Sequence, residues 1–120
     1  MMSNEQNSAD GPTSPQIERL LKLVKAGEKV ESSQQNPFVF YALAIEYRNE
    51  GDLERARHYF EFVHENFPEY LPNFYHYGIC LESQGNAEGA AKILDEGIQL
   101  AKVQNDMHAL SELEGARQNL

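Results

Sequence analysis

Apolar residues recur along most of the chain at spacings of three and four, which places them on one side of a helix. The clearest apolar stripe is the first in the chain, where Ile17, Leu20, Leu21 and Val24 lie at i, i+3, i+4 and i+7. The pattern predicts six helices, over residues 15–33, from 37 to a stop at Gly51, 53–66, 72–83, 87–103 and 106–119. Residues 1–14 have almost no large apolar side chain and are predicted to form a flexible tail.

Helix boundaries are marked by residues with a local structural reason. Pro37 follows Asn36, an order that suits the first helical position after a capping side chain. Gly51 and Gly85 are good left-handed residues for ending a helix. Asp52 follows the first of these glycines and Asn86 the second, and each can cap the next helix. The same stop-and-cap signal therefore occurs twice.

The two signals belong to a 34-residue period. Residues n and n+34 are identical or similar at many positions: Phe40 and Phe74, Tyr41 and Tyr75, Ile45 and Ile79, Gly51 and Gly85, Ala56 and Ala90, Phe60 and Leu94. A fixed period of this length is typical of stacked repeat architectures. The period predicts two helical hairpins, over 37–70 and 71–104, within a single domain of residues 15–120.

The repeated positions resemble the signature of the tetratricopeptide repeat family. The first unit matches it at Phe40, Leu43, Ala44, Tyr47, Gly51, Ala56, Phe60 and Pro68, and the second at Phe74, Tyr77, Gly78, Leu81, Gly85, Ala90 and Leu94. Lys102 stands where the second unit would have its terminal proline. The resemblance implies an all-α fold, a right-handed superhelix of helical hairpins. Residues 15–33 and 105–120 are predicted to cap its two ends, since two repeats alone leave apolar faces open.

The resemblance also implies a concave surface lined by the first helix of each hairpin. Carried onto this chain, that surface, called the inner face below, consists of Phe38, Tyr41, Ile45, Arg48, Tyr75, Ile79 and Glu82. Ala109 and Leu113 of the last helix are predicted to contribute as well. Five of the first seven side chains are aromatic or aliphatic, which suits an apolar anchor of a protein or peptide partner.

Two functions are consistent with such a face. In the first, the protein is an adaptor whose inner face binds a segment of another protein. In the second, the chain is a structural homodimer or larger homo-oligomer that buries the same face against its own copy, because exposed apolar patches usually mark a contact. Some tetratricopeptide repeat domains hold a peptide carboxylate with lysine, arginine and asparagine, but Tyr41, Ile45, Tyr75 and His76 occupy those positions here. A carboxylate clamp is therefore not predicted.

The net charge narrows the range of partners. The 120 residues carry a formal net charge of −9, which argues against a nucleic-acid backbone or an anionic membrane as partner. Apolar residues make up 41% of the chain, as in a globular protein, but no apolar run approaches the length of a membrane span. The single cysteine, Cys80, and a polar N-terminus without a secretion signal predict a cytoplasmic protein.

Candidate catalytic and metal-binding residues are scattered. The four histidines lack the spacing of a zinc motif, and Glu50-Gly51-Asp52 is turn chemistry rather than a calcium loop. Cys80 lies in an apolar helix, where a buried structural thiol is the favoured interpretation. No enzyme activity, cofactor or metal is predicted. Gly89, inside a predicted helix, has no explanation in the sequence pattern.

Overall fold

The computed structural model describes residues 14–27 and 35–120, which form six α-helices and no strands. The helices are α1 (Pro15–Gly27), α2 (Pro37–Asn49), α3 (Leu53–Asn66), α4 (Pro72–Ser83), α5 (Ala87–Gln104) and α6 (Met107–Gln118). The predicted all-α fold of about six helices is confirmed. The predicted tail and the predicted continuation of α1 beyond residue 27 lie outside the described residues.

The helices stack in the order of the chain. α2 packs against α3 and α4 against α5, so the middle of the chain forms two helical hairpins. α3 packs on α4 and joins the hairpins, while α1 packs on α2 at one end and α6 packs on α5 and α4 at the other. This arrangement leaves α2, α4 and α6 as neighbours along one side. The bounds of the two predicted units, 37–70 and 71–104, remain a prediction from the period.

Both hairpin turns use the same local chemistry. Gly51 and Gly85 have the same positive φ of +83°, a backbone conformation that glycine adopts without a steric penalty. The Asp52 carboxylate then accepts a hydrogen bond from the Arg55 backbone N–H at 3.1 Å, and caps α3. The side chain of Asn86 caps α5 in the corresponding way. The repeat in sequence is thus a repeat in backbone geometry.

A single apolar core runs through the stack. Its fully buried large side chains include Ile17 of α1, Leu43 of α2, Phe60 of α3, Leu94 of α5 and Leu113 of α6. Since the first and last helices each bury a large aliphatic side chain in this core, they close its two ends. Such terminal helices supply the cover that two hairpins lack on their own.

Two glycines allow the helices of the second hairpin and α6 to approach closely. A Cβ atom on Gly78 would lie 2.6 Å from Leu94 Cδ2, which is closer than van der Waals contact permits. One on Gly97 would lie 2.7 Å from Phe74 Cβ and 3.1 Å from Leu113 Cδ2. Gly97 therefore makes room both for α4 and for the last helix.

The structure supplies the missing reason for Gly89. Its backbone N–H donates a hydrogen bond to the capping oxygen of Asn86 at 2.8 Å. A Cβ atom on Gly89 would lie 2.6 Å from Asn86 Nδ2 and 2.9 Å from Asn86 Cγ. Glycine at this position leaves space for the cap, which offsets the cost of about 1 kcal/mol that glycine carries inside a helix.

The close contacts predict opposite effects for two identical substitutions. Gly97→Ala is expected to destabilise the fold by about 1–3 kcal/mol, because the new methyl group meets Phe74 beside its backbone. Gly115→Ala in α6 has no atom within 4 Å of its Cβ and is expected to stabilise by about 0.5–1 kcal/mol. Urea denaturation of both variants measures the two effects. If both substitutions changed the free energy of unfolding in the same direction, this description of the packing would be contradicted.

Asn73 forms a polar connection between the hairpins. It lies in the first turn of α4, is only 1% exposed and is the buried polar residue of the described core. Its Nδ2 donates a hydrogen bond to the backbone carbonyl of Phe60 in α3 at 3.0 Å. Because the carbonyl belongs to the preceding hairpin, this hydrogen bond fixes the position of α4 relative to α3.

Candidate functional site

The predicted inner face lies on neighbouring sides of α2 and α4. Phe38, at the start of α2, is 55% exposed, and Glu82, near the end of α4, is also exposed. The other five members of the inner face are partly buried: Tyr41, Ile45, Arg48, Tyr75 and Ile79. The four apolar or aromatic side chains among these five pack their inner sides against the core. They keep an accessible side, as a docking surface requires.

A continuous aromatic surface runs across this face. The ring of Tyr41 lies 6.3 Å from that of Phe38, 5.6 Å from that of Tyr70 and 5.8 Å from that of His76, measured between centroids. His76 in turn contacts the ring of Tyr75 edge to face at 5.1 Å. The aromatic surface therefore joins α2 to α4 through the contact of Tyr41 with His76, and Tyr70 extends it into the connection between the hairpins.

A hydrogen bond between two side chains also links α2 to α4. Arg48 Nη1 lies 2.9 Å from His76 Nδ1. The guanidinium is always protonated and can only donate, so His76 Nδ1 accepts and the ring proton is on Nε2. Burial, and secondly the positive charge of Arg48, lower the pKa of His76 below its ordinary value, while the carboxylate of Glu112 acts in the opposite direction. His76 is thus neutral at neutral pH.

This lowered pKa predicts a pH-dependent stability. Above the ordinary histidine pKa of 6.5, His76 is neutral in both the folded and the unfolded chain. In this pH range its contribution to the stability of the fold is fully present. As the pH falls below that value, the unfolded chain binds a proton that the folded chain does not, so stability is lost until the folded pKa is passed. The advantage of wild type over His76→Gln in melting temperature should be larger at about pH 7.5 than at about pH 5. An unchanged difference would contradict the buried, neutral state of His76.

The last helix contributes to the site differently from the prediction. Leu113 is 1% exposed and packs against Gly97, so it belongs to the core and cannot contact a partner. The expectation that Leu113 lines the inner face was wrong, because α6 uses this residue to close the end of the core. Ala109 remains partly buried. The pKa of Tyr41 is raised mainly by burial and, to a smaller extent, by Tyr70 and by Glu112 of α6.

A second concave region lies on the other side of α4. Tyr77 and Leu81 are about 200° around the helix from Tyr75 and Ile79, and form part of a cavity of about 670 Å³ between α3 and α5. The charged groups that line the cavity are largely paired with one another. Arg57 meets Glu54 at 3.1 Å and Glu61 at 3.2 Å, and His64 meets Glu96 at 2.8 Å. Such pairs on a solvated surface contribute little energy and leave few groups for a ligand.

Reactive groups in the described part of the chain show no catalytic arrangement. Cys80 is fully buried, and burial raises the pKa of its thiol, which keeps it protonated. Its sulfur lies 3.8 Å from the backbone carbonyl of Leu53, a contact typical of a structural thiol. Within residues 14–27 and 35–120, no three histidine, cysteine, aspartate or glutamate side chains lie together as metal ligands would.

Tyr70 and Glu112 were missed as parts of the site, and so was the contribution of His76 to the aromatic surface, each for a definite reason. Tyr70 lies outside the helices, in a connection whose counterpart in the second unit is the helical Gln104. The residue 34 positions before His76 is Ala42, which carries no matching chemistry. Glu112 is on α6, where the sequence no longer follows the repeat signature. A period identifies positions that repeat, and these three do not.

Comparison with known proteins identifies the fold family. A sequence model described as Tetratricopeptide repeat matches residues 47–113, which is more than half of the chain. The protein belongs to the tetratricopeptide repeat family. The resemblance seen in the sequence signature is thereby confirmed, and so is the hairpin-stack fold.

Solved structures agree with this assignment. The crystal structure of a tetratricopeptide repeat domain protein from Salinibacter ruber is 32% identical, with a TM-score of 0.68 over 71% of this chain and 94% of that chain. A solution structure of a Salinibacter ruber tetratricopeptide repeat domain protein is also 32% identical, with a TM-score of 0.67 over 70% and 85% of the two chains. A protein from Bordetella parapertussis shares the fold at 19% identity, with a TM-score of 0.72 over 90% and 88%. No curated protein matches the sequence.

Membership of the tetratricopeptide repeat family indicates a general role. The fold suggests a protein-interaction module, and the family is generally non-catalytic. Among the described helices of this tetratricopeptide repeat protein, none combines the length and the apolar character that crossing a bilayer requires.

Proposed function

We propose that this tetratricopeptide repeat protein is an adaptor whose inner face binds a segment of a partner protein. The observation that supports the proposal is the aromatic surface of Phe38, Tyr41, Tyr70, His76 and Tyr75, which is continuous across two hairpins and partly exposed. Aromatic side chains that lose water on binding supply much of the affinity of protein interfaces. The proposal assigns the protein no catalytic role and no cofactor.

The shape of the face favours an extended segment or a helix as the partner. α2 and α4 lie side by side and are held together by the Arg48–His76 hydrogen bond, so the surface between them is preorganised. Tyr41 and Ile45 are one helical turn apart on α2, and Tyr75 and Ile79 are one turn apart on α4. These two pairs of side chains can contact apolar side chains that recur at regular intervals along a bound peptide.

A capture experiment tests the proposal. Immobilised wild type and the Tyr41→Ala/Tyr75→Ala double variant are exposed to an extract of the source organism, and retained proteins are quantified. Tyr59→Ala provides the matched control, because Tyr59 is also partly buried and ring-stacked but lies on α3, against Tyr47. We expect proteins retained by wild type and by Tyr59→Ala to fall by about tenfold or more on the double variant. Equal retention on all three would refute the adaptor role of this face.

Self-association through the same face is the alternative, and the molecular mass distinguishes it. A second copy that covered Phe38 and Tyr41 would give a dimer in light scattering, and Tyr41→Glu or Tyr75→Glu would convert it to a monomer by placing a charge in the interface. The adaptor proposal expects a monomer for wild type and for both variants. The cytoplasmic location predicted from the sequence stays a prediction.

A further inference from the structure

The charged side chains beside the inner face differ in how strongly they already interact with other groups of the protein. The guanidinium of Arg48 donates a hydrogen bond to His76 at 2.9 Å and is partly buried. Glu112 of α6 is exposed and meets His108 at 3.5 Å, where the histidine side chain is 85% exposed. The short hydrogen bond restricts Arg48, whereas the long contact with an exposed histidine leaves the Glu112 carboxylate able to accept a hydrogen bond from a partner.

Glu112 and Glu114 lie on different sides of the last helix. On α6, successive residues are about 100° apart, so Glu112 and Glu114 lie on opposite sides of the buried Leu113. Arg117, on the same side of Leu113 as Glu114, meets Asp95 of α5 at 2.9 Å, so the Glu112 side of α6 is turned away from α5. Burial is the main influence on the pKa values of Tyr41 and His76, and Glu112 adds a small upward contribution to each. α6 also packs directly on α4. The carboxylate of Glu112 therefore lies at the α6 side of the inner face.

Aromatic rings beside a carboxylate favour one kind of charged group. The faces of tyrosine rings attract lysine and arginine, and a neighbouring carboxylate adds a direct ion pair. Glu82 places a second exposed carboxylate on the same face, at the end of α4. The whole chain carries a net charge of −9, so it attracts basic segments at long range and repels acidic ones.

We infer that the inner face selects partner segments in which a lysine or arginine follows or precedes an apolar anchor within about one helical turn. The anchor packs between Tyr41 and Tyr75, and the cation is placed beside Glu112. This inference rests on the proposed adaptor function and adds the chemistry of the partner. Arg48 already donates one hydrogen bond to His76 and is partly buried, so it offers an acidic partner less than the exposed carboxylates offer a basic one.

Selection from a random peptide library tests the inference without a known partner. Peptides of about 12 residues displayed on phage are selected on four immobilised proteins: wild type, Glu112→Lys, Glu114→Lys and Tyr41→Ala/Tyr75→Ala. Glu114→Lys is the matched control, since it makes the same charge change on the same helix but on the other side of Leu113. Peptides enriched on wild type are then synthesised and their affinities measured for each protein.

The expected result is enrichment of lysine or arginine close to an apolar residue on wild type and on Glu114→Lys. Glu112→Lys should lose the basic preference and bind the wild-type peptides roughly three- to tenfold more weakly. Peptides with an apolar anchor but no basic preference, or equal binding to Glu112→Lys, would overturn the inference and leave the adaptor function intact. Equal enrichment on Tyr41→Ala/Tyr75→Ala would overturn both.

Discussion

Asn73→Asp is expected to destabilise the protein by about 3–5 kcal/mol. Asn73 is 1% exposed, and its Nδ2 donates to the Phe60 carbonyl at 3.0 Å. Aspartate replaces that donor with an oxygen that faces the carbonyl oxygen, and it buries a negative charge. Because burial raises the folded pKa of such a carboxyl above its unfolded value, the loss should shrink as the pH falls and the carboxyl is protonated.

The chain provides a matched control for this change. Asn66 Nδ2 also donates to a backbone carbonyl, that of Phe62 at 2.9 Å, but Asn66 is exposed. Asn66→Asp makes the same chemical exchange in water and is expected to change stability by about 0.5 kcal/mol or less. Urea denaturation at neutral and acidic pH compares the two variants. Similar losses for both would show that Asn73 does not connect the hairpins as described.

Ala56→Leu and Ala90→Leu are each expected to destabilise the fold by about 1–3 kcal/mol and to lower the melting temperature by roughly 5–15 °C. The two alanines are 34 residues apart, in α3 and α5, and both are completely buried in the core. Leucine adds three carbon atoms where a well-packed interior has no space for them. Equivalent positions in a repeat should respond alike, so the two variants should lose similar amounts of stability.

Glu54→Ala serves as the surface control for the alanine variants. Glu54 lies two residues before Ala56, and its side chain is 76% exposed in its ion pair with Arg57 at 3.1 Å. Exposed pairs contribute little, so a loss of about 0.5 kcal/mol or less is expected. Thermal melts followed by circular dichroism measure all three variants. Melting temperatures that agreed among the three would contradict the 34-residue register.

Much of the fold could be predicted because it depends on features that the sequence repeats. Gly51 and Gly85 require the same backbone conformation, and Asp52 and Asn86 supply the same cap, so the sequence predicts both turns. Asn73 could not be identified in this way, since an asparagine in the first turn of a helix is ordinarily a solvated residue. Its burial depends on how closely α4 packs on α3, which a local pattern does not contain.

The candidate site was predicted only where it follows the repeat. Tyr41 and Tyr75 were named from their matched positions, and the structure brings both against His76. Leu113 was assigned to the same face by extending the period into α6, but the last helix has no following hairpin and uses this residue to cover the core. Glu112 contributes to the site because α6 departs from the repeat. The spacing of residues in the sequence does not reveal this contribution.

The isoleucines provide a direct test of the central claim that the inner face is where a partner binds. Ile45 and Ile79 lie on that face, whereas Ile17 is buried in α1 and Ile93 borders the cavity between α3 and α5. Selective ¹³C labelling of isoleucine methyl groups allows each to be followed by NMR as a captured or selected partner peptide is added. The account predicts that the signals of Ile45 and Ile79 shift while those of Ile17 and Ile93 stay in place. A shift of Ile93 with Ile45 and Ile79 unchanged would contradict it.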